Sequence, residues 1–242
     1  MTAATDENVA NGPTSDRLGR ADIFQDILRA RRSTRNFLPA PVPRDILNRV
    51  VGDAQRAPSN CNTQPWQIHI LSGAIRDSFR DSIVAAWNAG ALSPDFSFAT
   101  EDYPGDCRER AHAQGLAYYQ ALGIRREDYD ERRAASDRNL DFFGAPHVAL
   151  IFMPTVGDNV RIGADIGMYA QTFLLSLAAN GLGGVPQTML GFFGNEARQI
   201  CDVSPDLKLM FGISFGYPDL DHAAGQYDIG RMAASESVVF HG

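Results

Sequence analysis

Apolar and polar positions alternate with two different periods along the 242-residue chain, and each change of period marks an element. From Asp22, the apolar residues Ile23, Phe24, Ile27 and Leu28 recur at helical spacing, with Asp22 as the expected N-cap. "LPAPVPRD" ends this helix, because proline carries no N–H and disfavours helix in the residue before it. A second helix is expected through "RDILNRVVGDAQRA", with Ile46, Leu47, Val50 and Val51 apolar, and the loop "APSNCNTQPW" closes it. "WQIHILSG" shifts to a period of two, placing Ile68 and Ile70 opposite Gln67 and His69, as in a half-buried strand. Residues 74–87 return to the helical pattern.

The stretch from about 88 to 146 is punctuated by Gly and Pro, then becomes charged and helical. It carries Phe96, Phe98, Tyr103, Tyr118, Tyr119, Phe142 and Phe143. This composition fits either a lid over a site or a peripheral helical hairpin. "PHVALIFMP" is apolar on both sides, the mark of a central strand. In "ADIGMYAQTFLLSLAANGLGG" the polar residues Asp165, Thr172, Ser176 and Asn180 keep to one stripe of a helix that is otherwise apolar. Burial on most sides is expected, including against a second copy of the chain, with Asn180 and Gly181 as the C-cap. "LKLMFGISFGYP" is a third strand. Strands mixed with helices, without a regular β-α-β rhythm, predict an α+β fold. Residues 1–20 are polar and read as a disordered tail, with 21–242 as one domain. No apolar run reaches the length expected of a bilayer span.

Composition narrows the function. With 22 basic against 29 acidic side chains the net charge is −7, which argues against a general nucleic-acid binder. Cys61, Cys107 and Cys201 show neither C-x-x-C nor zinc spacing, so a reducing, cytoplasmic location is expected. There is no P-loop, no G-x-S-x-G elbow and no metal pattern among His69, His112, His147, His222 and His241. "GLGGVPQ" fails the dinucleotide fingerprint because Pro186 stands at the third glycine. Within this acidic chain, four arginines fall in the seven positions of "RARRSTR", residues 29–35. Arg31, Arg32, Ser33 and Arg35 offer forked donors and a hydroxyl to a phosphate. Taken alone, the same run also reads as a solvated basic helix end. "PSNCNTQPW" adds Ser59, Asn60, Asn62 and Gln64 in a loop stiffened by Pro58 and Pro65, and reads as site loop or plain connection.

"RRSTRNF", "APSNCNTQPW", "GLGGVPQ" after a buried helix, and a late arginine together resemble the FMN-dependent nitroreductase superfamily from Asp22 onward. The resemblance implies an intertwined homodimer of an α+β fold, with a mainly antiparallel sheet and one FMN in each of two interface sites. It implies that Arg31, Arg32, Ser33 and Arg35 hold the FMN phosphate and ribityl chain, Arg35 also reaching the flavin edge. Pro58, Ser59, Asn60, Asn62 and Gln64 would line the same flavin from the partner subunit. Pro186, Gln187 and Thr188 would pass the ring, Arg231 would return to the phosphate, and the helix over 164–180 would form the dimer core. Cys61 departs from the small or hydroxylic residue often found there. The implied reaction is ping-pong: NAD(P)H reduces the flavin, which reduces a nitroaromatic to nitroso and hydroxylamine products. No catalytic side chain is required. The lid segment resembles the branch acting on nitrobenzoate-like substrates. The same scaffold also serves flavin and enone reductases and reductive dehalogenases. A reading from another class makes residues 29–35 a non-catalytic patch for nucleic acid or another anion.

Overall fold

The structure, a computed structural model, describes residues 15–242 apart from Gln226. Four strands form one sheet: β1 (Gln67–Ser72), β2 (His147–Pro154), β3 (Gly183–Gln187) and β4 (Leu207–Gly216). Their order is β1-β2-β4-β3 and every pairing is antiparallel. The helices are α1 (Ser15–Ala30), α2 (Arg44–Ala54), α3 (Gly73–Ala89), α4 (Gly105–Ala121), α5 (Tyr129–Asp137), α6 (Val160–Ala179) and α7 (Gly194–Cys201).

Successive side chains of a strand point to opposite faces, and both faces of β2 are covered. Val148, Leu150 and Phe152 enter a core with Phe79 and Ile83 of α3 and Ala197 of α7. Ala149, Ile151 and Met153 enter a second core with Leu47 and Val50 of α2 and Ile166, Phe173 and Leu177 of α6. Burial of each large apolar side chain stabilises by about 1.5–3 kcal/mol. The uninterrupted apolar run of β2 is therefore the centre of the molecule.

Three strands are expected from the sequence; the structure has a fourth, β3, in "GGVPQ". Two glycines and a proline are poor strand formers, so local propensity gives no sign of it. The segment is tolerated because β3 lies at the sheet edge, paired with β4 on one side and making a single parallel bridge from Gly184 to Ser33 on the other. A Cβ on Gly183 would collide with the Thr34 side chain, so glycine there lets residues 33–34 approach the sheet.

Helix α1 also departs from expectation. It begins at Ser15, which puts Asp22 inside the helix and not at its cap. The expected tail is therefore helical from residue 15, and residues 1–14 lie outside the described residues. Ile23 and Phe24 of α1 are 61% and 53% exposed, not packed on the core. Helix α2 stops at Ala54, short of the expected Ala57.

The polar stripe of α6 ties this helix to its neighbours. Ser176 Oγ donates to Asp53 Oδ2 at 2.5 Å, Arg49 donates to Asn180 Oδ1 at 3.0 Å, and Asp165 Oδ1 accepts the Asn60 N–H at 3.0 Å. Gly181, at φ +71°, ends the helix in the left-handed conformation that glycine permits. With 20 residues and a mean hydropathy of 1.2, α6 does reach the length and apolarity of a bilayer span. Here those residues pack against the sheet and α2.

Helices α4 and α5 form an excursion between α3 and β2, with a small core of their own around Tyr118, Ala135 and Ala224. The segment leading into it is pinned by Asp95. This buried carboxylate accepts the Leu209 N–H at 2.8 Å and pairs with Arg198 at 2.5 Å.

Candidate functional site

After α1 ends at Ala30 the chain runs extended and is fastened to the sheet at two points. Ser33 bridges Gly184, and Phe37 bridges Pro218. In an extended segment alternate side chains share a side, so Arg31, Ser33 and Arg35 fall together. Thr34, of the opposite parity, is only 8% exposed. The spacing R-x-S-x-R thus puts two guanidiniums and a hydroxyl on one side of the segment.

Arg31, Arg32, Ser33 and Arg35 line a cavity of about 570 Å³. Its other wall is built from Asp219, Tyr227, Asp228 and Arg231. The volume lies within the range of small-molecule and cofactor sites. Burial, with the like charge of Arg231 beside it, pushes Arg31 below the ordinary arginine range. Among the described residues no carboxylate forms an ion pair with Arg31. The two aspartates of the wall are engaged elsewhere: Asp219 Oδ2 accepts from Asn36 at 2.7 Å, and Asp228 Oδ1 accepts the Gly230 N–H at 2.9 Å. Two guanidiniums on the lining of one cavity are stabilised by an anion bound there, and a phosphate-type group fits the forked donors and the Ser33 hydroxyl.

The remaining two arginines converge on Tyr227, a residue that sequence reading missed. Arg32 donates to its backbone carbonyl at 2.8 Å, and Arg35 donates to its hydroxyl at 2.6 Å. A lone tyrosine in "GQYDIGR" carries no pattern that could have singled it out.

Other expected site residues do not line this cavity. The loop containing Pro58, Ser59, Asn60, Asn62 and Gln64 is largely exposed and lies apart from it. That loop is shaped in advance. Ser59 Oγ accepts the Gln64 N–H at 2.9 Å, and Gln64 Nε2 donates to the Asn62 carbonyl at 3.2 Å. Cys61, Asn62 and Gln64 hold φ of 51°, 56° and 46°, the sparsely populated left-handed region. Pro186 and Thr188 are exposed at the end of β3, also outside the cavity lining. Gln187 is 3% exposed; its Nε2 donates to the Asn139 carbonyl at 2.9 Å and its Oε1 accepts from Ser214 Oγ. Any role of Gln187 toward a ligand therefore falls to its backbone. Beside this end of β3, Phe98 packs edge-on to Tyr103 at 6.1 Å and lies 6.5 Å from Phe192.

Fold and cavity together define a class: an α+β protein with a basic, cofactor-sized cavity at the edge of an antiparallel sheet. The chain belongs to the nitroreductase family, whose model matches residues 28–217. It is 36% identical over 228 residues to nitroreductase NfnB of Mycolicibacterium smegmatis, covering 94% of this chain and 97% of that relative. It is 32% identical over 246 residues to the 4-nitrobenzoate reductase of a Nocardioides species, covering 99% and 98%. The crystal structure of the FMN-dependent nitroreductase NfnB from Mycobacterium smegmatis in complex with NADPH superposes with a TM-score of 0.88 at 36% identity. That match covers 92% of this chain and all of the other.

Proposed function

We propose that the chain is an FMN-dependent NAD(P)H nitroreductase that acts on nitroaromatic compounds as a homodimer. One observation carries the reading: Arg31 and Arg231 face the same cavity without a carboxylate partner among the described residues, and a phosphate is the group they fit. Bound FMN supplies the chemistry, accepting hydride from NAD(P)H and passing electrons in pairs to the nitro group.

The residues of the chain bind, orient and shield. Arg31, Arg32, Arg231 and the Ser33 hydroxyl hold the phosphate, and Arg35 adds fixed positive charge to the same wall. Pre-organised charge of this kind, in a partly desolvated site, favours a cofactor that gains negative charge on reduction. The shaped loop of Pro58, Ser59, Asn60, Asn62 and Gln64 completes the site from a second copy, which accounts for its separation from the cavity within one chain. The backbone of Pro186, Gln187 and Thr188 would border the bound cofactor beyond the arginine cavity. The excursion of α4 and α5 acts as a lid, and Phe98, Tyr103 and Phe192 at its root offer flat apolar surface to an aromatic substrate.

Uncovered apolar surface supports the dimer. Ile23, Phe24 and Leu28 of α1, Met168 of α6 and Val238, Val239 and Phe240 near the C-terminus are all exposed in the single chain. Phe240 is 93% exposed. A reducing cytoplasm suits the three free cysteines.

The test is a parallel assay of FMN-loaded protein with 4-nitrobenzoate, an enone and a halophenol, each with NADH and with NADPH. Conversion of the nitro compound to the hydroxylamine is expected to dominate. Turnover of the enone or halophenol with an untouched nitro group would overturn the substrate class.

A further inference from the structure

We infer that Tyr227 is a positioning residue that couples the α4 lid helix to the cofactor-binding arginines. The inference rests on the FMN reading and extends it to a residue outside the arginine motif. Tyr227 takes two of the three arginines Arg31, Arg32 and Arg35 at once: Arg32 through its carbonyl at 2.8 Å and Arg35 through its hydroxyl at 2.6 Å. Its side chain also meets the lid. Gln114 Nε2 of α4 donates to the same hydroxyl at 3.5 Å, and the Tyr118 and Tyr227 rings lie 6.2 Å apart.

The Arg35 guanidinium is shared between these two rings, 5.5 Å from the Tyr118 centroid and 5.9 Å from that of Tyr227. Cation–π contacts of this kind strengthen where water is excluded, and Tyr118 is 8% exposed. Within the lid itself Arg132 lies 4.0 Å over the Tyr119 ring, so among the described residues the Arg35 contact is the one of this kind that reaches from the lid to the arginine wall. The lid's own buried core is Tyr118, Ala135 and Ala224, with Tyr227 packed against it. The excursion is also fastened through Arg138 to Asn36 and through Asn139 to Gln187, but Tyr227 is the contact that touches both α4 and Arg35. An anion that draws Arg35 into one position favours one position of α4, and by linkage an ordered α4 favours the bound anion.

The Tyr227 hydroxyl can be removed with little loss of packing. In Tyr227→Phe, FMN affinity is expected to fall by roughly three- to tenfold, the range of one net hydrogen bond. The effect should vanish in an Arg35→Ala background, because Tyr227 acts through Arg35; a purely structural role would give additive effects. Hydrogen exchange supplies a readout free of activity. FMN is expected to protect residues 105–121 in the wild-type chain and much less in Tyr227→Phe, with circular dichroism confirming an intact fold. Wild-type FMN affinity and wild-type protection of α4 in Tyr227→Phe would overturn the inference, as would additivity with Arg35→Ala. A wild-type chain that binds no FMN at all would instead sink the cofactor reading, and this inference with it.

Discussion

Removing Arg31 should move two properties in opposite directions, and that pairing is a sharp test of the site. The side chain is partly buried, lies beside Arg231, and has no ion-pair partner among the described residues. A hydrogen bond from a charged donor is worth about 1.5–3 kcal/mol. Arg31→Ala should therefore weaken FMN by roughly ten- to 150-fold. The lower half of that range is expected, since Arg32, Ser33 and Arg231 still line the cavity. The apo-protein should be no less stable and slightly more so, because substitution relieves both desolvation and the repulsion from Arg231. Arg31→Lys should fall between, keeping charge but losing the forked geometry. Flavin fluorescence titration measures the first property, and thermal unfolding of the apo-protein the second. An FMN dissociation constant within twofold of wild type would refute the placement of the phosphate. A markedly destabilised apo-protein would show that Arg31 has a structural partner instead.

Arg198→Ala should destabilise the fold by about 3 kcal/mol, the lower end of the cost of stranding a buried charge, because Asp95 keeps the Leu209 N–H and Lys208 at 3.8 Å; urea unfolding reads this directly. Gly191→Ala should cost about 1–3 kcal/mol by overpacking, since its Cβ would stand 2.7 Å from the Met210 carbonyl oxygen, which cannot rotate away; a wild-type melting temperature would contradict it. His147 is held neutral: its Nε2 accepts the Val42 N–H at 2.9 Å, and burial with nearby Arg76 lowers its pKa below the ordinary histidine value. The unfolded chain therefore binds a proton more readily, so stability is fullest above about pH 6.5 and falls as pH drops through the window below it. Unfolding free energies between pH 7.5 and 5 should show this slope, and His147→Gln should flatten it.

What could be read from the sequence follows from where burial and chemistry coincide with local pattern. β2 was legible because both its faces are covered, leaving an apolar run with no interruption. The arginine wall was legible from its residue types and its family motif and not from its backbone: α1 ends at Ala30, so Arg31, Ser33 and Arg35 lie on an extended segment and not on a helix end. β3 was not, since "GGVPQ" is a strand by virtue of its partner β4 and of the space its glycines leave, and not by propensity. The start of α1 was missed because its apolar face is exposed in the single chain, so no core contact dictates where the helix begins. Tyr227 could not be found because its role depends on two arginines nearly two hundred positions away in the chain.

The central claim is that the arginine cavity holds FMN. The most direct measurement is the absorption spectrum of the purified chain after incubation with excess FMN and gel filtration. Retained flavin at one FMN per chain, carried by a species of dimer mass and diminished in Arg31→Ala, is the expected result. A colourless protein that cannot be reconstituted at any FMN concentration would contradict it.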